Sequence, residues 1–119
     1  MPLVQVTSNV SSSSVNTVKV MAAISKGIAT ALEKSEQAVM VHLNLDTSMF
    51  FQATDAPCAM IHVRSIGKVD AQYNAKTASM LTKIVSHELQ IPADRIFMNI
   101  DDVQRSNWAK GGMLIPEPK

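Results

Sequence analysis

The chain has 119 residues and a mass of 12.9 kDa, below one typical domain length, which excludes a multidomain arrangement. Hydrophobic residues make up 46% and charged residues 18%, and the formal net charge is +1 with Lys and Arg scattered along the chain. That balance excludes disorder and a phosphate-tracking groove, and it predicts apolar surface to be hidden between subunits.

Other classes fall to simple counts. Three Phe, one Tyr and one Trp are too few for a stacking platform on single-stranded nucleic acid. The one cysteine, Cys58, excludes an intrachain disulfide. No apolar run approaches the roughly 18 residues of a membrane span, so no membrane insertion is expected. No charged side chain precedes Lys19, and Gln5, Asn9 and the serines of 11–14 interrupt the opening segment, which therefore does not read as a signal peptide. The expected location is the cytosol, with a leaderless route for any extracellular role.

In chain order, residues 3–7 alternate apolar and polar side chains, as a strand with one buried face does. Residues 11–16 supply turn and N-cap chemistry. From Val18, apolar residues recur at Met21, Ile24, Ile28 and Leu32, close to the 3.6 period of an amphipathic helix ending near Lys34. Residues 38–43 form a short apolar run, read as a buried strand. The pattern then restarts: residues 57–63 predict a third strand, Asp70 an N-cap, and Ala78, Leu81, Ile84, Val85 and Leu89 a second helix. Pro92 marks a turn, residues 95–100 a fourth strand, and 113–115 a short terminal strand before a frayed tail at 116–119.

The order βαβ then βαβ, each half opening on proline, predicts an internal duplication within one α+β domain over 1–119. Its parts are 2–56, 57–108 and a divergent segment 109–119. Each half forms a parallel strand pair with a crossover helix, which places both helices on one face of a four-stranded sheet. The other face is expected to have apolar residues left to bury, which further subunits must cover.

Few residues invite chemistry. Loss of Met1 would leave a secondary amine on Pro2 at the mouth of a buried strand, with an ordinary α-amino pKa of about 7.7–8.0 that burial or a nearby cation brings to the working range of a general base. Taken alone, Pro2 reads as a plain second residue. Lys34 suits the negative end of the helix dipole, or it lowers the pKa of that amine and holds an acidic substrate. The run Ser65-Ile66-Gly67-Lys68 is a strand terminus whose backbone N–H groups are placed to meet a carboxylate or enolate oxygen. Cys58 reads as a buried hydrophobe. His42, His62 and His87 show no ligand spacing, so no metal is expected.

The stretches Met1-Pro2-Leu3-Val4, Asn9-Val10, Lys34, Val39-Met40-Val41, Pro57-Cys58-Ala59, Ser65-Ile66-Gly67-Lys68, Ala93-Asp94-Arg95-Ile96 and Asn107-Trp108, in that order and spacing, together resemble the macrophage migration inhibitory factor and D-dopachrome tautomerase family. The resemblance implies the tautomerase fold, a homotrimer of βαββαβ subunits with active sites at the subunit interfaces. It implies that Pro2 is the catalytic base, that Lys34 contacts the substrate carboxylate, and that the backbone of Ile66, with Ser65 beside it, donates to the substrate. It implies that Asn99 comes from the neighbouring subunit. Phe97 stands where the family usually has an aromatic hydroxyl and Ala38 where it has an aromatic wall. The usual Gly-Gly after Met49-Phe50-Phe51 is Gln52-Ala53, the Gly-Lys-Pro turn is Glu33-Lys34-Ser35, and the ending departs from Trp108 onward.

The leading reading is therefore a cofactor-free keto–enol tautomerase of phenylpyruvate-like α-keto acids, with dopachrome-type compounds as further substrates. The alternative is a cytokine-like interaction protein with a protein receptor and a vestigial site. An RNA-recognition domain of the same element order is disfavoured because residues 58–65 hold no aromatic. Ile61, three residues after Cys58, removes a Cys-x-x-Cys redox pair.

Overall fold

A computed structural model of the chain describes residues 1–116, and the end of the expected tail, 117–119, lies outside the described residues. The main elements are β1 (Leu3–Ser8), α1 (Thr17–Ala31), β2 (Met40–Asn44), β3 (Ala59–Ser65), α2 (Ala71–Leu89), β4 (Ile96–Asp102), β5 (Ala109–Lys110) and β6 (Met113–Leu114). Local chemistry sets several of these bounds. Asn16 accepts the Lys19 N–H at 3.1 Å at the start of α1, and Asp70 accepts the Tyr73 N–H at 2.8 Å at the start of α2. Helix α2 ends where Gln90 turns left-handed and the Ile91 N–H reaches back to the Ser86 carbonyl.

The four long strands form one sheet in the order β2-β1-β3-β4. The pairs β1/β2 and β3/β4 are parallel, while β1 and β3 meet antiparallel with Leu3 opposite Arg64 and Thr7 opposite Met60. Each βαβ half thus supplies one parallel pair, as the duplicated sequence order predicts. Alternation puts Val4, Val6, Ile61 and Val63 on the face covered by both helices, where they pack with Ile24, Ile28, Leu81 and Val85. All eight are at most 1% exposed. At roughly 1.5–3 kcal/mol per fully buried aliphatic side chain, this layer supplies most of the fold's driving force.

The open face keeps apolar residues to bury, at its two ends, while two other expectations need correction, those for β2 and for the C-terminal segment. The rows of the open face, read across the sheet, are Met40-Leu3-Arg64-Asp101, then His42-Gln5-His62-Asn99, then Asn44-Thr7-Met60-Phe97. Apolar side chains sit only at its two ends, because the polar members of each period-2 strand point this way. Strand β2 is an edge strand with exposed Met40 and His42 rather than a fully buried one, and it starts two residues late because residues 36–38 form a 3₁₀ turn capped by Ser35. The C-terminal segment is a β5/β6 hairpin rather than a single strand. Gly111 and Gly112 both have positive φ, at 61° and 86°, as a two-residue hairpin turn requires.

Cys58 is 1% exposed, its N–H is held by Asn9 Oδ1 at 2.9 Å, and its carbonyl accepts from Ser8 Oγ at 2.7 Å. Beside it lies Arg95, to which the sequence reading gives no structural role. Arg95, 8% exposed, donates to the carbonyls of Pro57 and Ala56 at 2.9 Å and of Phe51 at 3.1 Å. It pins the 51–57 loop to the foot of β4.

Candidate active site

The start of β1, the ends of β3 and β4, the segment before β2 and the C-terminal hairpin enclose a cavity of about 930 Å³, with Met1, Pro2, Ala38, Arg64, Trp108 and Lys110 in its wall. Pro2 is buried, and its carbonyl accepts the Met40 N–H at 3.0 Å, which fixes it against β2. The free amine in this structure belongs to Met1, so the Pro2 nitrogen is a tertiary amide. Burial chiefly, then the charges of Lys34 and Arg105, hold the pKa of that terminal amine below the ordinary α-amino value.

Lys34 is not in the cavity wall but lies near enough for its charge to act on the Met1 amine, placed there by a helix end that lacks the usual glycine. Helix α1 stops at Ala31, three residues before the expected end, because Glu33 adopts φ 56° and the N–H groups of Glu33 and Lys34 bond back to Thr30 and Ala29. Tyr73 holds Glu33 in place, donating to its carboxylate at 2.8 Å while Lys68 lies 3.6 Å from the same oxygen. The Tyr73 hydrogen bond first, then the Lys68 charge, hold the Glu33 carboxyl below its ordinary range. Lys34 therefore leaves the helix axis, and its ammonium donates to the Ile66 carbonyl at 3.4 Å. Burial first, then Lys68 and Arg105, lower the Lys34 pKa as well.

Ser65 is fully buried, and its hydroxyl donates to the Gly67 carbonyl at 3.0 Å, so its side chain fastens the turn. Ile66 follows the last residue of β3, which puts its N–H beyond the end of that strand. Gly67 and Lys68 carry φ of 74° and 60°, and the Gly67 N–H is held by Asp102 Oδ1 at 3.1 Å. Pro2, Lys34, Ser65 and Ile66 thus gather at one end of the sheet.

Phe97 and Asn99 do not join them within one chain. Phe97 lies in the row of Thr7, four residues along β1 from Leu3, or about 13 Å at strand rise. It contacts Phe51, with ring centroids 4.4 Å apart. Asn99 is exposed in the middle of the open face. Among the described residues no three His, Cys, Asp or Glu side chains converge as a metal-ligand set.

Sequence reasoning missed three cations around this cavity. Arg64 and Lys110 line it, and Arg105 sits close enough to depress the amine, with its guanidinium also donating to the Pro116 carbonyl at 2.8 Å. The signal for Arg64 was present: it continues the outward series Met60, His62 of β3 to the strand end that faces Leu3.

Comparison with known proteins identifies the family and the fold. The family model described as macrophage migration inhibitory factor matches residues 1–115. The chain is 32% identical over 112 residues to the macrophage migration inhibitory factor homolog of Brugia malayi and, equally, to the macrophage migration inhibitory factor of Mus musculus. Each alignment covers 94% of this chain and 96% of the relative. Among solved structures, the homologue from Prochlorococcus marinus superposes with a TM-score of 0.89 at 26% identity, covering 94% of this chain and 97% of that one. The protein from Toxoplasma gondii gives 0.87 at 27%, covering 95% and 99%. With a matching family model, relatives along nearly the whole chain and the same fold, this chain belongs to the macrophage migration inhibitory factor family of the tautomerase superfamily.

Proposed function

We propose that the chain, once Met1 is removed, is a cofactor-independent keto–enol tautomerase of α-keto acids with Pro2 as the general base. The observation that carries this reading is the place of Pro2, buried in the wall of the cavity at the start of β1, where the adjoining Met1 amine is held below its ordinary pKa by burial first and then by Lys34 and Arg105. A neutral Pro2 nitrogen takes the proton from the carbon beside the keto group. The electron pair of the broken C–H bond moves onto the carbonyl oxygen, and the proton is then delivered to that oxygen, so nothing is oxidised and no co-reactant is consumed. Lys34 and the Ile66 N–H stabilise the carboxylate and the developing enolate charge. Phenylpyruvate and dopachrome-type compounds are the test substrates.

The working unit in this reading is a homotrimer. Leu3 and Met40 lie at one end of the open face, Met60 and Phe97 at the other, so the apolar ends suit a head-to-tail contact that closes into a ring. Such a contact brings Asn99 and Phe97 of one copy towards Pro2 of the next. Light scattering at micromolar concentration should return three times the subunit mass; a monomer mass would remove the shared site.

The pH profile tests the base directly. The burial and cations that hold the Met1 amine down should act likewise on a freed Pro2 amine, so the acid limb of kcat/KM on enol-phenylpyruvate should fall below the ordinary α-amino range of about 7.7–8.0. Lys34→Ala removes a cation, which makes the protonated amine easier to form and should move that limb upward while weakening carboxylate binding. A limb that stays put or moves down in Lys34→Ala, in protein whose N-terminus has been checked by mass, would contradict the assignment. Absence of turnover in a Met1-free trimer would leave the interaction-protein reading standing.

A further inference from the structure

The cavity's lining does not suit an aryl substrate well. Ala38 offers little surface for a ring, and Trp108 is the one aromatic residue in the wall. Four charged residues, Arg64, Asp101, Asp102 and Lys110, share the wall with apolar ones such as Leu3, Val39 and Met40. Arg64 is exposed, and among the described residues its guanidinium makes no hydrogen bond or ion pair. Two carboxylates share the wall, but both are engaged elsewhere: Asp101 Oδ2 meets His62 Nε2 at 2.7 Å, and Asp102 Oδ1 accepts the Gly67 N–H. Lys110 adds a second cation from the hairpin.

Position matters as much as charge. Arg64 stands opposite Leu3 in the β1/β3 register, one residue from Pro2. It is two residues before Ile66, whose carbonyl anchors Lys34, a spacing of about 6–7 Å along the strand. The base thus lies near two separated cations, one at the end of α1 and one on the open face of β3.

We propose that Arg64 makes this cavity selective for α-keto acids bearing a second carboxylate, Arg64 holding the distal carboxylate while Lys34 holds the one beside the keto group. This rests on the tautomerase reading for the reaction, though not for the binding. In a short 2-oxodicarboxylate the carbon that loses its proton lies between the keto group and the distal carboxylate. Proton removal there builds negative charge beside an existing one, and a guanidinium at that carboxylate offsets the repulsion.

The test compares two ligand classes on Met1-free protein. Kinetics would use oxaloacetate against phenylpyruvate. Binding would use their non-tautomerising hydroxy analogues, malate and phenyllactate, read by the fluorescence of Trp108, the chain's sole tryptophan. Arg64→Ala should lose about ten- to a hundred-fold in malate affinity and in kcat/KM on oxaloacetate, as the loss of a charge-assisted contact implies, with the phenyl ligands unchanged within about twofold. Arg64→Lys should recover part of that loss. An equal loss for both classes would make Arg64 an assembly residue and overturn the proposal, as would unchanged malate binding. The two readings fail separately: turnover of phenylpyruvate without malate binding sinks only the dicarboxylate site, whereas Arg64-dependent malate binding without turnover sinks only the tautomerase.

Discussion

Removing Met1 should raise turnover of an enol-pyruvate substrate by about 10²–10⁴-fold, the usual contribution of a positioned general base. With Met1 attached, the Pro2 nitrogen is an amide without a basic lone pair, and the nearest amine is displaced by a full residue. Met1 also lines the cavity, so its retention costs space as well as basicity. The Pro2→Gly variant separates the two effects. Processed to the same point, it leaves the cavity open but carries a primary amine, and its rate should fall between those of the Met1-free and Met1-retaining wild type. Equal rates from processed and unprocessed protein, on samples whose termini are verified by mass, would refute the Pro2 mechanism.

The fold was legible where its signals are local. The alternation of residues 3–7, the caps Asn16 and Asp70 and the helical periods each specify structure within a turn or two, and the two βαβ patterns gave the sheet its parallel pairs. Reading failed where a second strand or an unusual backbone decides. Residues 38–43 look uniformly apolar, yet as an edge strand the chain shows Met40 and His42 to the outside. The helix stop at Glu33 was hidden because its left-handed residue is not glycine, and that stop is what turns Lys34 towards Ile66. Composition pointed to apolar residues left to bury on the open face, but it does not say that they gather at its two ends.

The candidate site was legible only in part for the same reason. Pro2, Lys34, Ser65 and Ile66 were drawn together by resemblance to a known pattern, and the register of β1 with β3 gathers them at one end of the sheet. The geometry of one chain separates Phe97 and Asn99 from that end, which is why any site containing all six needs a second copy. Arg64 and Arg105 carry no motif. Arg105 matters through its charge near the amine and Arg64 through its place in the cavity wall, both properties of position in the fold.

Arg95→Ala should cost more stability than any other single change described here, about 3–5 kcal/mol. Arg95 is a cation held almost wholly by main-chain carbonyls, those of Phe51, Ala56 and Pro57 at hydrogen-bond distance, with Thr54 and the Gln52 side chain at 3.4 Å. Each hydrogen bond to a charged group is worth roughly 1.5–3 kcal/mol, but the bonds share one side chain and do not add, and water will reach some of the freed carbonyls. Total stabilities of about 5–15 kcal/mol make such a loss severe. The planar fork of donors is essential to the arrangement, so Arg95→Lys should restore less than half of it. Urea unfolding of wild type and both variants at equal chain concentration, which matters if subunits associate, is the measurement. A loss below about 1 kcal/mol for Arg95→Ala would mean the 51–57 loop is held by Asn9 and Ser8 without it. The consequence for the site is indirect but specific: that loop carries Phe51, the ring against Phe97, so its release should loosen the end of β4 that a neighbouring copy would use.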